Sequence, residues 1–225
     1  MKRSEINALI RDGIEFCNRH QFYLPPWAYW KKKDWAKAGH EADEIRKNML
    51  GWDATDFGSG SFRDTGLLLF TIRNGNLKDP NNVKTYCEKL LIVGENQVTP
   101  MHFHWAKVED IINRGGGVLV VEVYNATEDD RLADTPVTVS TDGIQRTVPA
   151  GTKIRLKPGE SIALTQRLYH KFWGEEGKGT VLCGEVSAIN DDTKDNRFLE
   201  ELPRFPGIEE DEDPEYLLCN EYPEA

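Results

Sequence analysis

Near the start of the chain, apolar residues repeat at helical spacing. Ile6, Leu9, Ile10, Ile14 and Cys17 fall on one stripe. The spacing predicts a helix over residues 4–19 with Ser4 as its N-cap, and the stripe needs a surface to cover. An aromatic connector, Leu24-Pro-Pro-Trp-Ala-Tyr-Trp30, follows. Two prolines favour an extended path, and its rings are expected to pack the helix against a sheet; a stacking platform for a sugar or base is the alternative. Residues 33–50 read as a second helical stretch, charged and surface-lying. At Gly58 the pattern changes. Short strand-like runs occupy 67–72, 85–93, 97–105, 118–124, 137–140, 144–148, 153–156, 161–164 and 180–187, separated by Gly, Pro and Asn-Gly. Strands this short and this regularly spaced predict a sandwich or barrel. After Asn190 the chain turns polar. Its acidic run at 209–213 lacks the spacing of a calcium loop and reads as a solvated face. The apolar Tyr216-Leu-Leu-Cys219 is expected to dock on the barrel. The chain thus divides into a helical extension (1–57), a β-barrel (58–190) and a C-terminal extension (191–225), all of one domain.

One stretch organises this pattern: Thr99-Pro-Met-His-Phe-His-Trp-Ala-Lys-Val-Glu-Asp110. Side chains alternate along a strand, so His102 and His104 share one face, and Met101, Phe103 and Trp105 share the other. Glu109 follows where the chain can turn back. Two imidazoles and a carboxylate that converge on one point suit a divalent metal. With Gly116 the spacing is His-x-His-x4-Glu-x6-Gly, which resembles the first metal-binding motif of the cupin superfamily. Gly159-x5-Thr165-x-Arg167-x2-His170 resembles the second motif in its spacing. It departs from it at Thr165, where cupins usually have Pro, and at Arg167, where they usually have Gly. His170 is expected as the fourth ligand; the local turn type does not carry over. The predicted fold is therefore mainly β, a cupin jelly-roll barrel with N-terminal helices. Four protein ligands leave one or two positions open on a five- or six-coordinate ion, as catalytic sites require. Mn²⁺, Fe²⁺, Zn²⁺, Co²⁺ and Ni²⁺ all suit such a set, and affinity order alone does not choose among them.

Acid and base groups are then sought for the same cavity. Strand parity places Lys89 with Cys87, Leu91 and Val93, facing inward. There, burial is expected to depress its pKa towards neutrality; the alternative is that it snorkels out. Glu185 sits mid-strand in Gly184-Glu-Val-Ser187. A buried carboxylate needs a cation, which the metal or Lys89 would supply, unless this strand face is at the surface. Lys107 lies between His104 and Glu109, as a substrate-binding group near the metal or as an outward loop charge. Gln97 precedes the His strand and is a candidate to hydrogen-bond a substrate hydroxyl. Metal, carboxylate and lysine together suit proton transfer beside a carbonyl, that is, aldose–ketose isomerisation.

Charge and cysteine content narrow the partners. The 225 residues carry a formal net charge of −10. No basic patch stands out for a phosphate backbone, which argues against nucleic acid, and an anionic membrane surface is disfavoured for the same reason. Cys17, Cys87, Cys183 and Cys219 are far apart and form no CxxC pair, so no disulfide framework is expected. The opening Met-Lys-Arg-Ser-Glu-Ile lacks the apolar core of a signal peptide. A reduced, cytoplasmic protein is expected.

The resemblance extends further. Tyr86-x-Glu-Lys89, Gln97-x-x-Pro-x-His102-x-His104-x-x-Lys107-x-Glu-Asp-Ile-Ile-Asn-Arg-Gly-Gly, Gly184-Glu-Val-Ser and Asn190-Asp-Asp are similar to bacterial D-lyxose isomerases. So are the opening Met-Lys-Arg-Ser-x-Ile-Asn and the Leu24-Pro-Pro connector. The resemblance covers nearly the whole chain and matches all four metal-ligand positions. It implies a manganese-dependent enzyme with one ion per subunit, interconverting D-lyxose and D-xylulose, with D-mannose and D-fructose as slower substrates. The expected route is proton transfer through a cis-enediol, with Lys89 and Glu185 as catalytic groups and Gln97 and Lys107 on the sugar. An iron-dependent cupin dioxygenase and a non-catalytic sugar-binding cupin are the rival readings. The apolar row Met101, Phe103 and Trp105 must be covered by the second sheet, by the N-terminal helix or by another subunit, and a homodimer is expected.

Overall fold

A computed structural model describes residues 1–225. Its strands are β1 (Gly51–Thr55), β2 (Leu67–Arg73), β3 (Tyr86–Val93), β4 (Thr99–His104), β5 (Glu109–Gly116), β6 (Leu119–Asn125), β7 (Val137–Thr141), β8 (Ile144–Val148), β9 (Thr152–Leu156), β10 (Ser161–Leu164), β11 (Leu168–Gly174), β12 (Val181–Ala188) and β13 (Asn196–Phe198). They form two facing sheets with open edges rather than one closed barrel. The larger runs β1-β2-β3-β12-β5-β10-β7-β8 and the smaller β13-β4-β11-β6-β9.

The apolar runs of β2 and β3 are continuous because both faces of the large sheet are buried. Leu67, Leu69, Leu91 and Val93 point between the sheets, against Leu119, Val121, Val123 and Phe172 of the small one. Leu68, Phe70 and Leu90 point the other way and receive Ile6, Ile10 and Cys17 of helix α1 (Arg3–Arg19). The connector joins this outer layer, with Trp27 stacked on Phe70 at 4.9 Å between ring centroids.

Several elements depart from the sequence reading. Strand β1 lies within the stretch assigned to the helical extension, so the sheet begins before Gly58; its Trp52 and Ala54 pack in the outer layer. Residues 33–50 are not one helix. They break into α2 (Lys32–Trp35), a 3₁₀ turn at His40–Ala42 and α3 (Asp43–Lys47). This stretch is also anchored: Trp35 is buried and stacks on Tyr222 at 3.8 Å. Strands β5, β11 and β13 were absent from the predicted runs. The cap of α1 is Lys2, without a side-chain cap bond, and not Ser4.

The acidic run is exposed, as read, and it also clamps the start of α1. Arg3, buried in α1, donates to Glu210 and Glu221. The Ser4 amide and hydroxyl both donate to the Asp211 carboxylate, at 2.9 and 2.7 Å. The Asp211 carboxylate thus satisfies the Ser4 amide, one of the unpaired donors at the helix N-terminus. Beyond the acidic run, Tyr216 and Leu218 enter the outer core, and Leu217 packs with Trp35. No helix is long and apolar enough to cross a membrane.

Of the outward apolar row, Phe103 is covered from within its own sheet and by the turn before β11. Phe103 is fully buried under Tyr169 and Trp105, with ring centroids 4.8 and 4.7 Å away, and the Arg167 guanidinium lies over both Phe103 and Trp105. Neither the second sheet nor α1 provides this cover. Trp105 remains 44% exposed.

Candidate active site

The period of two on β4 turns His102 and His104 inward. Antiparallel β11 sets His170 directly opposite His102. The turn entering β11 holds Arg167 at φ +58°, the left-handed region that explains why glycine is usual there. Its amide donates to the His104 carbonyl at 2.9 Å, and its guanidinium pairs with Asp130 at 2.9 Å. The turn geometry thus survives the loss of glycine. Glu109, the first residue of β5, reaches the His104 and His170 rings from the facing sheet.

One ring nitrogen of each of the three histidines lies within 4.8 Å of the others. Glu109 Oε1 is 3.3 Å from His104 Nε2 and 3.2 Å from His170 Nε2. The Nδ1 atoms of His102 and His170 face the carbonyls of Pro100 and Leu168 at 2.7 and 2.9 Å. A carbonyl only accepts, so each Nδ1 carries a proton and each Nε2 is the nitrogen turned towards the cluster. Burial, reinforced by His170 and His104, holds His102 well below the usual imidazole range. Burial and Lys107 lower His104 as well. The Nε2 atoms of His104 and His170 are buried and lack a hydrogen-bond partner. Buried imidazole nitrogens without a partner beside a carboxylate fit a divalent cation of the Mn–Zn series; His102, His104, His170 and Glu109 are the residues able to hold it.

From this cluster a row of alternating charges runs along one shared cavity. Lys107 Nζ lies 2.7 Å from Glu109 Oε2 and donates to Glu185 Oε1 at 2.9 Å and Asn190 Oδ1 at 3.2 Å. Lys89 Nζ is 3.6 Å from the same Glu185 oxygen and 3.3 Å from Asp192. Arg204 closes the row, 3.5 Å from Asp192 and 2.6 Å from Asp53. Burial alone would push Glu109 up, but Lys107 and His104 hold it well below the usual carboxylate range. Asp192 is likewise held down, by Lys89 and Arg204 against burial.

The sequence reading needs three corrections. Lys89 does face inward, but its pKa is raised, because Asp192 and Glu185 outweigh burial; it stays protonated at neutrality. Lys107 is buried rather than a loop charge, and its three N–H donors meet three acceptors, which leaves none for a substrate. Gln97 does not line this cavity. Its amide is spent on the Phe62 carbonyl at 2.7 Å and the Gly94 amide at 2.9 Å, fixing the loop before β4. Glu185 is buried, and its first partner is Lys107. Reasoning from sequence missed Asp192, Asn196, Phe198 and Arg204, which the C-terminal extension brings to the cavity. The quoted Asn190-Asp-Asp contained the one available signal.

A two-sheet antiparallel fold with this His₃Glu cluster on its inner face defines a cupin-like protein. Solved L-ribose isomerases share the architecture. The Cellulomonas parahominis enzyme aligns with a TM-score of 0.59 at 16% identity, over 89% of this chain and 93% of that one. The Acinetobacter sp. DL28 enzyme aligns at 0.58 and 13%, over 89% and 93%. In sequence the match is far nearer. A protein named D-lyxose/D-mannose isomerase from Serratia proteamaculans is 51% identical over 223 residues, covering 99% of this chain and 98% of that protein. Its namesake from Escherichia coli O157:H7 is 49% identical over the same shares. The profile of D-lyxose isomerase matches residues 1–222, and the chain belongs to the D-lyxose isomerase family. It is a sugar isomerase.

Proposed function

We propose that the chain is a divalent-metal-dependent aldose–ketose isomerase that interconverts D-lyxose and D-xylulose, and D-mannose and D-fructose, by proton transfer through a cis-enediol. The carrying observation is Glu185. All its protein contacts fall on Oε1, from Lys107, Ser187 and Lys89. Oε2 is left for substrate in the same buried cavity as the His cluster. His102, His104, His170 and Glu109 would hold one ion, with Mn²⁺ the leading candidate and Fe²⁺, Zn²⁺, Co²⁺ or Ni²⁺ the alternatives. When bound, the ion supplies Lewis acidity towards the sugar carbonyl and its neighbouring hydroxyl.

Glu185 is the proton carrier in this reading. It takes the C2 proton of the aldose while O1 gains one, giving the cis-enediol. It then returns a proton to C1 while O2 loses one, giving the ketose. Lys107 holds Glu185 and Glu109 in place through ion pairs of 2.9 and 2.7 Å. Lys89 is held only by contacts of 3.3 Å and longer, so it has donor capacity for a sugar oxygen and serves as a protonated donor, not as a base. Three cations, Lys89, Lys107 and Arg204, face three carboxylates, Glu109, Glu185 and Asp192. That balance suits a neutral polyol and disfavours a phosphosugar, which needs surplus positive charge. It also separates the site from a cupin dioxygenase with an apolar substrate.

The test is isomerisation of D-lyxose by metal-stripped protein with and without Mn²⁺. Activity is expected to return with the ion and to be lost in His102→Ala and His170→Ala; folded protein that yields no ketose with any of the five metals refutes the reading. In D₂O the product should carry solvent deuterium, and complete retention of the substrate hydrogen would refute proton transfer. We further infer a homodimer, supported by exposed Trp105 at the rim of the small sheet; gel filtration at the mass of one 25.6 kDa chain would refute it.

A further inference from the structure

We propose that Arg204, the last group of the charged row that starts at the His cluster, binds the terminal hydroxyl of the sugar. The assignment rests on the isomerase reading, which places the reacting carbons at the His cluster. From that cluster the charged row runs through Glu109, Lys107, Glu185, Lys89 and Asp192 before it reaches Arg204. Arg204 is the last charged group of that row and lines the same cavity as His102 and His104.

Its guanidinium is committed on one side only. Nη2 donates to Asp53 at 2.6 Å and reaches Asp192 at 3.5 Å. Nη1 is buried and has no hydrogen-bond partner in the protein. A buried N–H without an acceptor is costly and rare in folded proteins, and a ligand oxygen is the acceptor this one lacks. The charge is already matched by Asp53 and Asp192, so the site suits a neutral hydroxyl and not an anion. The side chain is also held in place. The Arg204 carbonyl accepts from the Thr55 hydroxyl at 3.0 Å, which ties this segment to β1. The guanidinium lies over the Phe205 ring at 4.6 Å from its centroid. A donor fixed this way discriminates by geometry and loses little freedom on binding.

The experiment compares D-lyxose with 5-deoxy-D-lyxose on the Mn²⁺-loaded enzyme, wild type and Arg204→Lys. Lysine keeps a charge opposite Asp53 and removes the second nitrogen of the fork. The wild type is expected to prefer D-lyxose by roughly 10- to 100-fold in kcat/KM, as for loss of a hydrogen bond to a charged donor. Arg204→Lys should lower kcat/KM for D-lyxose by a similar factor, chiefly through KM, and leave 5-deoxy-D-lyxose within about twofold. The ratio of the two sugars does not depend on the fraction of folded variant. An equal loss on both sugars overturns the assignment. So does a wild type that treats the two sugars alike, without any variant. A wild type that makes no ketose from D-lyxose overturns the isomerase reading, and this assignment with it.

Discussion

Lys107 is the side chain on which the charged row most depends, and Lys107→Met tests that dependence. Methionine fills similar space and removes the cation. Two buried carboxylates then lose their nearest partner: Glu109 at 2.7 Å and Glu185 at 2.9 Å, with the three side chains 2%, 3% and 6% exposed. Removing one member of a buried ion pair costs about 3–5 kcal/mol, because the survivor remains desolvated. Some compensation persists here. Glu185 keeps Lys89 at 3.6 Å, and Glu109 keeps His104 and His170. The lower half of that range, about 3–4 kcal/mol, is therefore expected in the metal-free protein. The assay is urea unfolding in the presence of EDTA, read by linear extrapolation. Lys107→Met with Glu185→Gln should recover about 1–2 kcal/mol, because the second change removes one of the stranded charges. A cost for Lys107→Met below about 1 kcal/mol, the scale of exposed ion pairs, would refute the reasoning. So would strict additivity in the double variant.

Asp192 has a folded-state pKa depressed well below its ordinary value. Its stabilising contribution is thus present above the unfolded pKa of about 3.9 and is lost as pH falls through the lower folded value; the stability gap between wild type and Asp192→Asn should narrow below about pH 4 and stay constant from pH 5 to 7. Gly116 sits at φ +84°, where a Cβ would come 2.2 Å from the Thr180 carbonyl oxygen; Gly116→Ala should destabilise by about 2 kcal/mol or more, seen as a lower melting temperature. At Arg167, with φ +58°, Arg167→Ala keeps the backbone strain that Arg167→Gly relieves, so the alanine variant should be the less stable of the two by about 1 kcal/mol in urea melts; equal stabilities would count against strain at this turn.

What could be read from the sequence was whatever depends on local period. Alternation alone placed His102 and His104 on one face and put Lys89 with Leu91 and Val93. The structure has those residues pointing between the sheets. Alternation could not report what a side chain meets there. The sequence points to a depressed pKa for Lys89 because burial is visible in it and the pairing with Asp192, 103 residues later, is not. Gln97 has a polar side chain at the right place in sequence, yet its amide is used up on Phe62 and Gly94. The same limit hid β1: Gly-Trp-Asp-Ala-Thr has too few apolar residues to announce a strand, and it is held by its pairing with β2. It hid the clamping role of the acidic run as well, since a solvated face and a helix N-terminus clamp have the same composition.

The departures from the superfamily motif show why spacing carries further than residue identity. Glycine is usual at the position of Arg167 because the turn needs a positive φ, and this chain adopts that φ with arginine instead. The side chain that causes the strain also offsets it. The Arg167 guanidinium covers Phe103 and Trp105 at 5.2 and 5.3 Å and pairs with Asp130 and the Thr127 carbonyl. Those contacts close the outer face of β4 directly behind His102 and His104. A glycine in that place would make the turn easier and remove the guanidinium from Phe103 and Trp105. The substitution therefore joins two jobs that the common motif separates: setting the turn that delivers His170, and sealing the back of the strand that delivers its partners. A motif scan scores Arg167 as a mismatch, whereas its backbone bond to the His104 carbonyl ties the two halves of the His cluster together.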